Sequence, residues 1–425
     1  MVEDRIRAAL REIVTASPVP FEERKPARRW PVVALAGIAV AAIVAVVALL
    51  PVWTGGGSRP VAAGGQPTLP EHFPAYAFGQ GVLDGPFGRA IAMYHNGTGH
   101  EDWSFSQVIV AGADQNKYRR VPVPPVQRNG GIYARLTPDG TKVVVGAARG
   151  MITVIDLMTG GRKDYPTTTA LFTAPRAVSA DGRQVAFVAY PEYPEEGALY
   201  VLDLKSGQVS QPVGSDVRQV AFSPGGMLAY QIGQTVRVVE SPGTVKYEFA
   251  VEGETVLAGP RSWTPDGRFL VTVHTGPDRI EGDIIHQGEQ SYVFHPLDAS
   301  TTPVPQPIPA DDLRPRSWGD YVLGWRTPTV MLVSGGDVNG TTSNLIQEVD
   351  ITSGSHRIIS RFRVGPNDDL AVGDIQLATG LLAEMDMRSG GNPDRGPWPT
   401  WLIVTILLSF LPVTLTILVT RLRRR

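Results

Sequence analysis

Hydrophobic positions along the chain fall into two patterns. Two stretches, Val32–Val52 (VVALAGIAVAAIVAVVALLPV) and Trp401–Thr420, are uncharged and continuously apolar. At roughly 1.5 Å of rise per residue, each is long enough as a helix to cross about 30 Å of hydrocarbon. Elsewhere the apolar residues come in runs of six or seven, such as KVVVGA, QVAFVAY and RFLVTV, separated by Gly, Pro, Asp and Ser. That is the pattern of short strands joined by turns. Residues 54–73 (TGGGSRPVAAGGQPTLPEHF) and 388–399 (RSGGNPDRGPWP) show neither pattern and read as Gly/Pro-rich tethers. A folded domain is therefore expected over 74–387.

Within that domain the strand pattern repeats. Leu136-Thr137-Pro138-Asp139-Gly140, Val178-Ser179-Ala180-Asp181-Gly182, Phe222-Ser223-Pro224-Gly225-Gly226 and Trp263-Thr264-Pro265-Asp266-Gly267 align, with their fourth positions spaced by 42, 44 and 41 residues. Each has the chemistry of a tight hairpin: Pro or Ala entering the turn, Asp tolerating the bridge region in three of the four, where the other has Gly225, and Gly supplying positive φ. A second element recurs in phase, a strand ending in Asp-x-x-Ser/Thr-Gly, at Asp156, Asp203 and Asp350, with a weaker copy at Asp298. These aspartates could be ligands of a metal or substrate, but a site occurs once and these recur, so Asp139, Asp181, Asp266, Asp156, Asp203 and Asp350 are read as structural turn residues.

A period in the low forties is the length of one four-stranded propeller blade, whose faces are buried only by its neighbours. Less regular blades fit 89–122 and 321–362, and 370–385 supplies up to two more strands, so that residues near Tyr76 would complete the closing blade. Domain length divided by period comes near seven, and six also fits. The expected fold is all-β: a six- or seven-bladed β-propeller ectodomain flanked by two single transmembrane helices. Through LTPDG, VSADG, FSPGG and WTPDG, with VIDLMTG and VLDLKSG, the chain resembles the WD40-like and TolB-like β-propellers, well over 130–270 and loosely elsewhere. With its two apolar runs it also resembles the membrane-anchored propeller proteins of high-GC actinobacteria. The resemblance implies a toroidal scaffold that binds on its top face or in its central channel.

Charge refines the topology. Lys25, Arg28 and Arg29 precede the first apolar run, Trp30 and Trp53 bracket it, and Arg421, Arg423, Arg424 and Arg425 follow the second. The positive-inside rule then puts both termini in the cytoplasm and the propeller outside, in a two-pass plasma-membrane protein that contacts lipid through both helices. The n-region of about 30 residues is too long for a cleaved signal peptide. Outside these basic ends the chain carries 28 basic and 36 acidic residues, a balance unsuited to nucleic acid. It has no cysteine, which excludes disulfides, Cys-zinc sites and thiol nucleophiles.

Catalytic propeller signatures are missing. Gly follows Asp139, Asp181 and Asp266 directly, unlike the sialidase Asp box; no Trp follows Asp156–Gly160, as quinoprotein repeats require; and no Gly-x-Ser-x-Gly elbow exists. His95, His100, Glu101 and Asp102 form a local cluster whose spacing matches no ligand pattern, so no metal and no cofactor are expected. The segments that depart from the repeat are Asn96–Trp103, Tyr190–Glu196, Pro277–Glu289 and Gly335–Asn344. Among them Tyr190 and Tyr193, beside Glu192, Glu195 and Glu196, offer rigid contact area next to acid groups for a protein, peptide or glycan partner. The functional expectation is a non-catalytic binding or scaffold module of the cell envelope. The alternative is a transmembrane sensor whose N-terminal helix, with Ile6, Leu10, Ile13 and Val14 on one face, signals to a cytoplasmic partner such as a sigma factor. An envelope enzyme of another kind comes third.

Overall fold

The computed structural model describes residues 64–74, 80–96, 107–123, 133–191, 197–213, 217–241, 243–277, 279–281, 284–286, 289–297, 303–310, 321–335, 345–362 and 372–396. Both apolar runs, Val32–Val52 and Trp401–Thr420, lie outside the described residues, among which no helix is long and apolar enough to cross a membrane.

Two short strands open the domain, β1 (Thr68–Pro70) and β2 (His72–Phe73), and six blades follow. The first holds β3 (Ala90–Asn96), β4 (Gln107–Gly112) and β5 (Tyr118–Val121). The second is β6 (Ala134–Leu136), β7 (Lys142–Ala147), β8 (Met151–Asp156) and β9 (Arg162–Pro166). The third is β10 (Phe172–Val178), β11 (Gln184–Tyr190), β12 (Ala198–Asp203) and β13 (Val209–Val213). The fourth is β14 (Val217–Phe222), β15 (Leu228–Ile232), β16 (Thr235–Ser241) and β17 (Thr244–Ala250). In the fifth, β18 (Glu254–Leu257) and β19 (Phe269–Thr275) are separated from β22 (Gln290–Pro296) and β23 (Ile308–Pro309) by an inserted hairpin, β20 (Arg279–Glu281) and β21 (Ile284–His286). The sixth is β24 (Val322–Thr327), β25 (Val330–Gly335), β26 (Leu345–Asp350) and β27 (His356–Phe362), after which come β28 (Val372–Leu377), a 3-10 helix over Thr379–Glu384 and β29 (Asp386–Arg388).

The blade count is six because the fifth blade spends extra length on its hairpin and the segment before Ala90 forms no blade of its own. The ring closes from both ends. β28 becomes the innermost strand of the first blade by pairing with β3, and β2 adds a fifth strand to the sixth blade by pairing in parallel with β27. Closure thus falls to a C-terminal strand and to residues before Tyr76, which itself lies outside the described residues. The tether expected over 54–73 is already structured from Gly64: β1 runs parallel to β29, and Ser360 Oγ donates to the Pro70 carbonyl at 2.6 Å. The tether expected from Arg388 likewise lies on the first blade as far as Gly396, with the Tyr118 amide donating to the Asp394 carbonyl at 2.8 Å.

Neighbouring blades bury one another. β11 is covered on both faces, as its nearly unbroken apolar run requires. Phe187 and Val185 pack on Val144 and Ile152 of the second blade, while Ala186 and Val188 pack on Val220 and Phe222 of the fourth.

The alternation of strand direction sorts the connections onto two faces. The repeated Asp-Gly hairpins and the Asp-x-x-Ser/Thr-Gly turns lie together on one, the turn face, where the Leu157 amide donates to the Thr141 carbonyl at 2.8 Å and Leu204 meets Arg183 in the same way. The connections between second and third strands, and those between blades, begin and end on the opposite loop face.

Candidate functional site

The recurrent aspartates are hydrogen-bonded within their own turns. In three hairpins the same bonds repeat: the Thr137, Ser179 and Thr264 hydroxyls each donate to the aspartate two residues on, at 2.6 Å, and that carboxylate accepts the amide following the glycine at 3.0–3.1 Å. The glycines hold φ between 68° and 71°. Burial pushes the Asp266 carboxyl up, but the bonds from Thr264 and Arg268 together outweigh it and hold the group below the usual carboxylate range. In the second turn type Asp203 takes the Ser206 amide and hydroxyl and the Lys205 amide, Asp156 takes those of Thr159 and Met158, and Asp350 takes the Ser353 and Thr352 amides with the Thr352 hydroxyl. At Asp156, Asp203 and Asp350 all of these bonds go to Oδ1. Asp266→Ala is expected to cost about 1 kcal/mol, measured by chemical denaturation, with binding unchanged.

Of the recognition candidates, Glu192, Tyr193, Glu195 and Glu196 lie outside the described residues. Tyr190, at the end of β11, is half-buried, and its hydroxyl accepts Arg176 Nη2 at 2.7 Å, so its polar end is engaged within the blade. His95 is buried and its imidazole is pushed down by desolvation; His100, Glu101 and Asp102 lie outside the described residues. Among the described residues no group of three or more His, Asp and Glu side chains has the arrangement to hold a metal.

Topology does relate the four divergent segments to one another. Asn96–Trp103, Tyr190–Glu196, Pro277–Glu289 and Gly335–Asn344 all connect a second strand to a third, so the strands that flank them end on the loop face. Segments joining strands on this face contain 17 acidic and 6 basic residues, while the turns joining strands on the turn face contain 5 of each.

The axis of the ring shows a feature that attention to aspartates missed. An arginine recurs on or just after the innermost strand of four consecutive blades, at 135, 176, 218 and 261, spaced by 41, 42 and 43 residues. Arg176 and Arg218 are the extra residues of β-bulges, which change where a side chain points. Arg135 and Arg261 line a narrow axial cavity of about 20 Å³ together with Gln376. Gln376 joins β28 to β6, accepting the Leu136 amide at 3.0 Å and donating to the Ala134 carbonyl at 2.9 Å. Arg261 reaches across to the Val178 carbonyl at 3.2 Å. On the turn face the axis widens into a cleft of about 380 Å³, whose walls include Phe222, Trp263, Trp325 and the turn prolines Pro138, Pro224 and Pro265, with Arg261 again in its lining. The two indoles are 3% and 8% exposed and are fixed by their own N–H groups, Trp263 donating to the Ala221 carbonyl and Trp325 to that of Arg261. The arginine period matches the turn period and was readable in the sequence.

The described domain is a six-bladed β-propeller resembling the TolB-like propellers. It is similar in fold to TolB from Acinetobacter baumannii, at 14% identity over 68% of this chain and 67% of that one, with a TM-score of 0.42. It is similar also to the β-propeller domain of the Trilobed protease from Pyrococcus furiosus, at 14% identity, 51% and 67% coverage and a TM-score of 0.35. For puromycin hydrolase the figures are 13%, 65% and 46%, and 0.38, so the chain spans less than half of that protein. No protein-family model and no curated protein sequence matches the chain. At these identities the likeness concerns the fold alone.

Proposed function

We propose that the protein is a non-catalytic binding module of the cell envelope, anchored by the apolar runs Val32–Val52 and Trp401–Thr420, which captures a partner on the loop face of its propeller. The observation that carries this reading is segregation: the four segments Asn96–Trp103, Tyr190–Glu196, Pro277–Glu289 and Gly335–Asn344 all connect strands on one face, while the repeated turns and the described ends of the domain belong to the other. Regular blades need only short connections for packing, so irregular insertions gathered on one side are the usual mark of recognition. The acid excess of these connections favours a partner that is basic where it docks. A binding role also agrees with the lack of a Gly-x-Ser-x-Gly elbow and of any cysteine.

Crosslinking of the full-length protein in its native membrane tests the proposal. Deleting residues 191–196 is expected to leave thermal unfolding unchanged and to lower capture of the main crosslinked partner about tenfold or more, the loss typical of a central contact. Unchanged capture, or a captured partner whose docking surface is acidic, would count against the loop face.

A further inference from the structure

We infer that the outer edge of β17, on the side of the propeller, is an interface with a second copy of this chain, formed by antiparallel pairing of the two β17 strands about a two-fold axis at Tyr247. A sheet edge offers unpaired amides and carbonyls to any extended chain, and natural sheets blunt such edges by covering them, shortening them or placing proline in them. Five of the six outermost strands are treated in one of these ways. β27 is covered by β2, and β5 by bridges from Gly81 to Arg120 and from Asp394 to Lys117. β9 and β13 are five residues long and carry Pro166 and Pro212, and β23 is two residues long and carries Pro309. β17 (TVKYEFA) has seven residues with neither proline nor glycine, it ends its sheet, and no described strand pairs with its outer side. Its ladder to β16 is regular from Tyr247 to Ala250. The Val251 amide donates to the Gln234 carbonyl at 2.8 Å, so by the alternation of an antiparallel ladder Glu248 and Ala250 turn their backbone groups outward.

A lysine on an edge ordinarily repels a second strand, but this strand is its own complement. Reversed about Tyr247, Lys246 stands opposite Glu248 of the second copy and Glu248 opposite its Lys246, while Val245 stands opposite Phe249 and Tyr247 opposite itself. Opposite residues share a face of the sheet, so charge meets charge on one face and apolar meets apolar on the other. Within one copy Glu248 already takes Arg237 Nε at 2.7 Å, and Lys246 lies 3.6 Å from Glu240. Pairing extends these contacts into a row of alternating sign across four strands: Arg237 and Glu248, then Lys246 and Glu240 of the second copy. Exposed ion pairs contribute little affinity, so their effect is on register and direction. Centring the pair on Lys246 or on Glu248 sets like charges face to face, and so does parallel pairing in register. Val245 is 48% exposed, and Tyr247 and Phe249 are half-buried against the fifth blade, which leaves apolar area for the second copy to cover. A contact of this isologous kind closes as a dimer.

Sedimentation equilibrium of the full-length protein in detergent, over a dilution series, tests the assignment. The unaltered protein is expected to dimerise. Lys246→Glu and Glu248→Lys should each weaken self-association about tenfold or more, because like charges then oppose each other at both positions. Mixing the two variants should restore the dimer, since each supplies the charge that the other lacks. The chain has no cysteine, so an introduced one is unique. Tyr247→Cys should oxidise to a covalent dimer across the axis, where opposed Cα atoms lie about 4.5–5.5 Å apart, within disulfide reach. Lys246→Cys and Glu248→Cys should crosslink far better as a mixture than either does alone. Circular dichroism shows whether each variant is folded; where one is not, sedimentation of the unaltered protein and the mixed-cysteine crosslink decide. A monomer at every concentration, a dimer indifferent to both charge changes, as one held through the apolar runs would be, or equal crosslinking by single and mixed cysteine variants would overturn the assignment. None of these outcomes bears on capture at the loop face.

Discussion

Phe73→Ala is expected to destabilise the propeller by about 3–5 kcal/mol, the cost of removing a fully buried aromatic ring. Phe73 is 0% exposed although it sits in a strand of only two residues. Its ring stacks on Phe362 of the sixth blade with centroids 4.2 Å apart, and it meets Tyr94 of the first blade edge-on at 5.5 Å. Tyr94 and Phe362 are themselves in edge contact at 5.3 Å, so the three rings form one cluster across the seam where the ring closes. Removing the central ring leaves a cavity that neither neighbour can fill without breaking β-ladder hydrogen bonds. Chemical denaturation of the full-length protein measures the loss. A cost below about 1 kcal/mol, the range of an ordinary surface change, would mean that the N-terminal strands do not clasp the ring.

The position of Phe73 also shows what sequence could and could not reveal. The hairpins at Asp139, Asp181 and Asp266 were legible because each carries its complete turn chemistry locally and the copies recur. Leu69 and Phe73 were not: two apolar residues among Gly and Pro form no periodic pattern, and their burial depends on β27 and β29, 289 and 318 residues away in sequence. Blade number stayed open for a related reason. β28 carries no turn motif and becomes an innermost strand only through its pairing with β3, a non-local contact that composition does not encode. The recognition candidates follow the same division. Sequence identified the segments that break the repeat, but only the alternation of strand direction shows that all four connect strands on the same face. The axial cleft needed the fold as well, since Trp263 and Trp325 belong to different blades and converge only when the ring is assembled.

The second large effect is expected at Gly140, where four sequence-equivalent turns should respond unequally to the same change. Gly140, Gly182 and Gly267 all adopt φ near 70°, and Gly226 adopts 87°, a region in which an L side chain costs about 1–2 kcal/mol. At Gly182, Gly226 and Gly267 a Cβ would meet no atom within 4 Å, so alanine there should cost that amount and no more. At Gly140 the same Cβ would lie 2.1 Å from the Ala90 carbonyl oxygen and 3.2 Å from the Ala378 Cβ. Ala90 opens β3 and Ala378 follows β28, so this hairpin of the second blade is wedged between the two chain segments that close the ring. It is held there by the Ala90 amide donating to the Gly140 carbonyl at 2.8 Å and the Gly380 amide donating to that of Pro138 at 2.8 Å. The obstructing atom is backbone and cannot swing aside, so alanine must separate the turn from the seam and forfeit those bonds. Gly140→Ala should therefore cost about 3 kcal/mol or more once overpacking is added to the backbone term, against about 1–2 kcal/mol for Gly182→Ala and Gly267→Ala. Denaturation midpoints of the three variants side by side make the comparison. Equal costs would show that the turn face is not pinned to the closing seam.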